Sequence, residues 1–300
     1  MEKMTGMWYN IGKQKFFRRN TMLPMDCHTH TYCSPDSDAP AGSMISRAQA
    51  LGLRAYALTD HIELCRFFPQ GFYGVPARNE EDFFDYAARY EHSMQQNQLA
   101  KDLYQGGMQL ISGIEMGEPN ADFALAESLL QDKRLDFVIA SLHELPDRLD
   151  FYFLDYAQED VDALLDAYFA ELWKICKWGK FDVLGHLTYP LRYIAEAGVS
   201  VDMTKWQEPA AECLKAVIRN GGGIEINTSG YRQKYGRPFP DREYLELYRD
   251  LGGTILSLGS DAHCPEDVGG GIAEGAALAK SCGFEKVCYF LRHEPHFIEL

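Results

Sequence analysis

Short apolar segments rich in isoleucine, valine and leucine alternate along the chain with longer segments of helical period. Seven of these apolar segments end near Cys27, Leu58, Ile114, Ala140, Leu184, Ile226 and Leu258, and a weaker eighth covers residues 287–291. The candidate helices cover residues 43–51, 81–103, 121–130, 161–178, 203–219, 242–251 and 271–280. This alternation is typical of βα units around a parallel sheet, and seven repeats predict a closed α/β barrel.

No low-complexity tract, charge block or linker rich in proline and glycine interrupts this alternation, so we predict one domain over residues 21–300. Residues 1–20 precede it as an extension whose aromatic side chains are expected to pack on the barrel. The longest interruption is an aromatic loop over residues 63–79, directly after the second predicted strand. Two interpretations of this loop stay open: a lid over the mouth of the barrel, or a satellite hydrophobic cluster.

Nearly every apolar segment is followed by a histidine or an acidic residue. These residues are His28, His30, Asp60, His61, Glu115, His143, His186, Asp261 and His263. In a parallel barrel the carboxyl ends of the strands converge on one face, so these side chains are expected to meet in one site. Burying so many imidazoles and carboxylates together without a cation would be costly, and the cluster therefore predicts bound metal.

The spacing of these residues indicates how metal would be held. Alternation along a strand puts His28 and His30 on one face, and Asp261 and His263 repeat this geometry. Glu115 and Asp261 have the lone pairs to bridge two cations, which an imidazole with one free nitrogen cannot do. Mixed nitrogen and oxygen ligands favour Zn, Mn or Fe over Mg or Ca, and the sequence does not choose among the three.

Composition narrows the class of partner. With a formal net charge of -15, the chain lacks the positive field that would gather nucleic acid or an anionic membrane surface. A small phosphorylated substrate would have to be held locally, by arginine, lysine or metal. The eight cysteines show no paired zinc-finger spacing, so we expect reduced thiols in a cytoplasmic protein. No segment is long and apolar enough to span a membrane, and the choice between monomer and homodimer stays open.

The ordered polar motifs resemble the polymerase and histidinol phosphatase (PHP) superfamily over roughly residues 24–295. They are His28-Thr29-His30, Thr59-Asp60-His61, Gly113-Ile114-Glu115, Ser141-Leu142-His143, Gly185-His186 and Ser260-Asp261-Ala262-His263. The resemblance implies a distorted (β/α)7 TIM-like barrel with a trinuclear metal site. The segment 28–36 resembles the opening of the histidinol-phosphate phosphatases, and it puts Asp36 where a metal-binding His or Asp is found; Asp38 is the alternative.

Two further segments, residues 186–192 and 225–232, look like the parts of histidinol-phosphate phosphatases whose arginines hold the substrate phosphate. The resemblance therefore assigns Arg192 and Arg232 to phosphate binding. This assignment is physically reasonable, because a guanidinium matches phosphate oxygens bidentately. The competing interpretation is that both arginines are exposed and pair with nearby acids.

The activity that this resemblance implies is hydrolysis of L-histidinol phosphate to L-histidinol and phosphate, a step of histidine biosynthesis. A water that bridges two metal ions, held by Glu115 and Asp261, is expected to lose its proton near neutral pH and attack phosphorus. Asp60, beside His61, and Glu225, facing the barrel interior, are expected to orient ligating imidazoles from behind.

Three alternatives accompany this interpretation. The first is a PHP phosphoesterase for another small phosphorylated metabolite or a nucleotide. The second is an amidohydrolase barrel, which also begins with HxH but predicts a bridging lysine after strand four, where this chain has His143, and a lone closing Asp, where it has Asp261 and His263. The third is a non-catalytic metal-binding module, which would be expected to lack some of the ligands.

Overall fold

The computed structural model describes residues 23–64, 86–146 and 148–300 of the chain. Seven strands form one parallel sheet in chain order. They are β1 (Met25–Asp26), β2 (Ala55–Glu63), β3 (Gln109–Gly117), β4 (Phe137–Ser141), β5 (Val183–Leu184), β6 (Gly223–Asn227) and β7 (Leu256–Gly259). The predicted extension over residues 1–20 lies outside the described residues, as does most of the predicted aromatic loop.

Backbone contacts join the first strand of this sheet to the last. Cys27 N donates to Leu258 O at 2.8 Å, and Asp261 N donates to His28 O at 2.8 Å. A parallel bridge between Thr29 and Ala262 extends this contact beyond the strand ends. The sheet is therefore rolled into a barrel, which confirms the predicted distorted (β/α)7 TIM-like fold.

Helices cover the outside of the barrel. Those in the described residues are α1 (Ala41–Leu51), α2 (Tyr86–Leu103), α3 (Phe123–Leu129), α4 (Val161–Trp178), α5 (Leu191–Glu196), α6 (Gln207–Arg219), α7 (Arg242–Asp250) and α8 (Ile272–Ser281). Helix α4 shows why such segments begin and end where they do. The Asp160 side chain accepts from Ala163 N at its start, and Gly179 at φ 64° ends it in the left-handed conformation.

Two helical predictions differ in detail from the structure. The predicted helix over residues 203–219 is divided into a 3-10 turn, Met203–Trp206, and α6. In place of the predicted helix over residues 121–130, a 3-10 turn, Pro119–Ala121, is followed by α3, which begins at Phe123. Helix α5 was not predicted, because it has only six residues and directly follows Pro190. It buries Leu191, Tyr193 and Ile194 and leaves Arg192 at the carboxyl face of the barrel.

The weak eighth apolar segment forms a separate hairpin. Strand β8 (Lys286–Leu291) pairs antiparallel with β9 (Glu294–Glu299). At the turn, His293 N donates to Asp136 O at 2.9 Å, and His293 Nδ1 lies 3.0 Å from Asp182 Oδ2. Asp136 and Asp182 each immediately precede a barrel strand, so the hairpin covers the amino-terminal end of the barrel, opposite the polar strand ends.

The barrel strands are buried almost throughout, with every residue of β2 buried. This agrees with the near-continuous apolar segments in the sequence, because parallel strands covered by helices are shielded on both faces. Among the helices of the described residues, none is both long and apolar enough to cross a membrane.

Candidate metal centre

The polar residues predicted at the strand ends converge at the carboxyl face of the barrel. The pairing of β2 with β3 places His61 directly opposite Glu115. Sets of ligand atoms within 4.8 Å of one another occur in His28, His30 and Asp261; in His30, His61 and His263; in His61, Glu63 and His143; and in Glu115, His143 and His186. The structure thus brings together side chains from six strand ends, as expected of a parallel barrel.

Glu115 lies at the centre of this cluster and is fully buried. Its Oε2 is 3.1 Å from His28 Nε2 and 2.9 Å from His61 Nδ1. Its Oε1 is 2.8 Å from His186 Nε2 and 3.1 Å from His143 Nε2. Because its two oxygens face different imidazoles, this carboxylate has the geometry needed to bridge two cations.

Asp261 closes the cluster from the far side of the barrel. Its Oδ1 is 3.4 Å from His30 Nε2 and 3.9 Å from His28 Nε2. Its Oδ2 accepts from Arg192 Nη2 at 2.7 Å. Asp261 has φ 55°, a left-handed backbone conformation that is uncommon for residues other than glycine. One oxygen therefore faces the imidazoles while the other is held by a guanidinium.

Asp36 reaches the outer edge of the cluster. Its Oδ2 is 3.0 Å from His263 Nε2 and 3.6 Å from His61 Nε2. In the part of the chain that the structure describes, no ion pair joins Asp38 to a histidine. Of the two candidate ligands in this segment, only Asp36 faces the imidazoles, and its metal-binding role stays a prediction.

The two carboxylates predicted to orient imidazoles act at different places. Glu225 Oε1 is 2.7 Å from His28 Nδ1, and its Oε2 accepts from His186 N at 3.0 Å. Asp60 accepts from Ser34 Oγ at 3.1 Å, and Ser34 Oγ lies 3.1 Å from His30 Nδ1. Asp60 therefore reaches His30 through a serine, and its role in orienting an imidazole stays a prediction.

The ionisation of the cluster follows from burial and mutual contact. Burial alone would raise the pKa of Glu115, but the imidazoles of His28, His61 and His143 lower it well below its usual value. Burial would likewise raise the pKa of Asp261, but Arg192 together with the imidazoles of His28 and His30 lowers it well below its usual value. Both carboxylates are thus in the charged form that a cation needs.

The fit of this donor set to a metal can be judged from its unsatisfied atoms. Burial, with His263 and His61 nearby, lowers the pKa of His30 to about 3, so its ring is neutral. Within the described residues, Nε2 of His28, His30 and His263 and Oε2 of Glu115 are buried without a hydrogen-bond partner. Buried polar atoms without partners are costly. Their convergence fits a bound divalent cation with nitrogen and oxygen ligands.

A cavity of about 550 Å³ opens over the cluster. Seven of the candidate ligands line it, all except His28 and His30, and its walls include Asp150, Tyr189, Arg192, Glu196 and Gln233. This volume is within the range of small-molecule sites.

The two predicted phosphate-binding arginines have different surroundings. Arg192 lines the cavity, and its guanidinium carbon lies 5.1 Å from the centre of the Tyr189 ring. Arg232 Nη2 donates to Ser260 O at 2.9 Å, and Arg232 Nε is 3.4 Å from Asp267 Oδ1. Arg232 is not among the described residues that line the cavity, so its role as a phosphate ligand stays a prediction.

Four acidic residues at the site were missed in the sequence: Glu63, Glu118, Asp150 and Glu196. Glu63 lies two positions after His61 on one strand, so the alternation rule could have indicated it. Glu118, in a left-handed conformation after β3, and Asp150, in the loop after β4, give no such signal. They reach the site through the folding of connecting segments, which have no fixed period.

Together, the seven-stranded barrel and its cluster of imidazoles and carboxylates define an α/β barrel protein with a candidate metal centre. Residues 26–229 match the family described as PHP domain, and the chain belongs to this family.

Several relatives match most of the chain. A probable histidinol-phosphatase of Thermotoga maritima is 28% identical over 261 residues, which are 87% of this chain and 93% of that protein. The histidinol-phosphatase of Lactococcus lactis is 24% identical over 277 residues, or 90% and 95% of the two chains. A probable phosphatase of Vibrio campbellii is 29% identical over 251 residues, or 82% and 80%.

A solved structure shares the fold. The crystal structure of the Lactococcus lactis histidinol phosphate phosphatase, in complex with Zn, L-histidinol and phosphate, aligns with a TM-score of 0.71 and 23% sequence identity. The alignment covers 91% of this chain and 99% of that one.

Proposed function

We propose that this protein hydrolyses L-histidinol phosphate to L-histidinol and phosphate, as a metal-dependent phosphatase of histidine biosynthesis. The observation that carries the proposal is the convergence of the candidate ligands at one end of the barrel, with most of them lining a cavity whose wall contains Arg192. The names of the relatives from Thermotoga maritima and Lactococcus lactis support the choice of substrate, as does the ligand set of the Lactococcus lactis structure.

The donor geometry suggests three ion positions. His28, His30, Glu115 and Asp261 would hold the first, Glu115, His143 and His186 the second, and Asp36, His61 and His263 the third. Bound Zn, Mn or Fe would lower the pKa of a coordinated water near phosphorus and offset phosphate charge. Glu115 and Asp261 would fix the positions that flank this water, because each has an oxygen facing more than one imidazole.

Arg192 is suited to bind the phosphate group. Its side chain is buried to 11% exposure, and its Nε has no hydrogen-bond partner among the described residues. Asp261 and Ser229 both accept from its Nη2, so the guanidinium is held in one orientation. A phosphate oxygen at Nε would satisfy a buried donor, and a fixed charge of this kind stabilises developing negative charge without reorganisation.

The rest of the cavity wall favours a substrate with N–H donors. Asp150 is buried and accepts from Tyr152 N at 2.7 Å, while Glu196 offers a second carboxylate. Gln233 Oε1 is buried and has no partner within the described part of the chain. The protonated amine and the imidazole of L-histidinol phosphate would supply donors to these acceptors. The loop over residues 63–79, a candidate lid in the sequence, lies almost entirely outside the described residues.

The test is phosphate release from L-histidinol phosphate, compared with sugar phosphates, nucleotides and p-nitrophenyl phosphate. The protein is assayed after its metal content has been measured and restored with Mn, Zn or Fe. We expect a strong preference for L-histidinol phosphate that is lost in His186→Ala. Hydrolysis confined to another ester would keep the metal chemistry and contradict the substrate. The absence of hydrolysis on every ester by fully metallated protein would favour a non-catalytic metal-binding module.

The resemblance to a probable phosphatase of Vibrio campbellii supports a second candidate, a PHP phosphoesterase for another small phosphorylated metabolite. The same panel of esters separates the two, because an ester without an amine gains nothing from Asp150 and Glu196.

A further inference from the structure

Glu63 lies at the carboxyl end of β2 with its side chain buried beside two imidazoles. Its Oε1 is 2.8 Å from His61 Nδ1 and 3.3 Å from His143 Nδ1. The other ring nitrogen of His61, Nε2, is 3.6 Å from Asp36 Oδ2. The Nε2 of His143 is 3.1 Å from Glu115 Oε1. His61 Nδ1 also lies 2.9 Å from Glu115 Oε2, so Glu63 and Glu115 face the same ring nitrogen. One carboxylate, Glu63, therefore contacts two candidate ligands that belong to different ion positions.

The neighbouring chain makes room for this contact. Gly117, paired with Glu63 in the sheet, has no β-carbon, and one placed there would overlap Glu63 Oε2. The next residue, Glu118, is also buried, and its Oε1 accepts from His143 N at 2.5 Å and from Glu144 N at 3.3 Å. The backbone and the ring of His143 are thus each held by a separate carboxyl group.

We propose that Glu63 is a positioning residue that fixes the rings of His61 and His143 and thereby links two ion positions of the candidate centre. This inference rests on the metal binding in the proposed function. At His143, a carboxylate that accepts from Nδ1 holds the proton there and leaves the lone pair of Nε2 for a cation. At His61, the carboxylate lies 2.8 Å from Nδ1 without a hydrogen bond, and it fixes the ring by contact. Because both rings share one carboxylate, its removal should weaken two positions together.

Glu225 provides an internal comparison. It is hydrogen-bonded to Nδ1 of His28 as Glu63 is to Nδ1 of His143, with 2.7 Å between its Oε1 and that nitrogen, but it contacts neither His61 nor His143 among its described contacts. Because Glu225 also accepts from His186 N, its removal should weaken metal binding at the first and second ion positions and leave the third, which includes His61, unchanged.

The experiment measures zinc affinity by competition with a chromophoric chelator, and the number of bound ions by elemental analysis. In Glu63→Ala we expect the wild-type number of ions at saturating zinc, with affinity reduced about 10- to 100-fold for two of them. Glu63→Gln keeps the volume and one acceptor oxygen, so a smaller loss is expected. Gly117→Ala keeps the carboxylate but displaces it, and this variant should lower the affinity for the same two ions.

The control is Glu212→Ala, which removes an exposed carboxylate on α6 that pairs with Lys215. It changes the net charge as Glu63→Ala does and should leave all zinc affinities unchanged. Circular dichroism establishes that each variant is folded, and if Glu63→Ala does not fold, the glutamine and Gly117→Ala variants carry the test.

Unchanged zinc affinities in the folded Glu63 and Gly117 variants would overturn the inference and leave the proposed function intact. An ion that is missing from Glu63→Ala even at saturating zinc would also overturn it, because Glu63 would then be a ligand itself. If the wild-type protein binds no metal, the proposed function is wrong, because it requires bound metal.

Discussion

Arg192 Nη2 donates to Asp261 Oδ2 at 2.7 Å, so the guanidinium proposed to bind phosphate is fixed by a candidate metal ligand. The opposite oxygen of Asp261 faces the imidazoles of His30 and His28. The distance between the phosphate-binding group and the candidate metal centre is therefore set by a single carboxylate. A substitution of either residue should therefore change the position of the other side chain.

Replacement of Arg192 tests this relationship. Arg192→Ala should reduce kcat/KM for L-histidinol phosphate by about 10²- to 10³-fold, because a preorganised donor to the developing charge is lost. Arg192→Lys should recover only part of the activity, since an ammonium cannot contact Ser229, Asp261 and phosphate in one plane. Steady-state kinetics on metal-loaded protein is the measurement, and wild-type kcat/KM in Arg192→Ala would contradict the role.

Arg232→Ala distinguishes phosphate binding from support of the backbone. Arg232 donates to the carbonyl oxygens of Ser260 and Asp261 at 2.9 and 3.4 Å. If support is its main task, the variant should lose thermal stability, with a drop of about 1 kcal/mol in the free energy of unfolding. A large loss of kcat/KM at unchanged melting temperature would instead support the phosphate ligand that the resemblance assigns.

Asp150 should contribute to the choice of substrate. We expect Asp150→Asn to reduce kcat/KM for L-histidinol phosphate by roughly 10- to 100-fold, because a charged hydrogen bond to the amine is worth a few kcal/mol in a buried site. Hydrolysis of p-nitrophenyl phosphate, which has no amine, should change little in the same preparation. Equal losses on both esters would show that Asp150 supports the site without recognising the amine.

Metal should stabilise the folded protein. The buried nitrogen and oxygen atoms without partners in the cluster are an unfavourable arrangement that a cation relieves. Each ion position filled at 100 times its Kd would add about 2.7 kcal/mol to the free energy of unfolding. Differential scanning calorimetry of chelated and zinc-loaded protein checks this, and Glu115→Gln should lose most of the difference. Identical melting temperatures with and without zinc would argue against binding.

His293 gives a pH-dependent contribution at the opposite end of the barrel. Its hydrogen bond with Asp182 raises the pKa of His293, whereas burial keeps the pKa of Asp182 itself raised despite that contact. A raised imidazole pKa gives stability that is complete below about pH 6.5, the unfolded value, and disappears as pH rises through the folded value.

The imidazole is 39% exposed, so the effect is small, on the order of 0.5 kcal/mol. Chemical denaturation of wild type and His293→Gln should therefore differ at pH 6 and converge above pH 8. A difference that grows with pH would contradict this sign.

The sequence predicted much of the fold because a parallel barrel has a regular pattern of apolar and polar positions. Buried strands are apolar segments, and the residue after each segment lies at the carboxyl face, so His28, His143 and His186 could be assigned to one site before the structure was known. In the sequence, the hairpin of β8 and β9 was only a weak eighth segment, since half of the residues of β8 are not fully buried and most of those in β9 are exposed.

What the sequence did not reveal came from connecting segments. Helix α5 is too short for its period to be recognised, although it carries Arg192. Asp150 and Glu118 are acidic residues in loops, where most acids are simply solvated. Only the folded chain shows that these two are buried beside His143, because their position depends on packing and not on a repeat.

The pairing of His61 with Glu115 belongs to a run of nine consecutive residue pairs between β2 and β3. Side chains alternate between the two faces of a strand, so a slip of one residue in this pairing would turn one of the two groups away from the barrel interior. The relative position of the two side chains is therefore fixed by the strand register of the sheet. Substitutions that loosen this pairing would reduce catalytic activity before they unfold the barrel. Activity would therefore report whether β2 and β3 are correctly aligned.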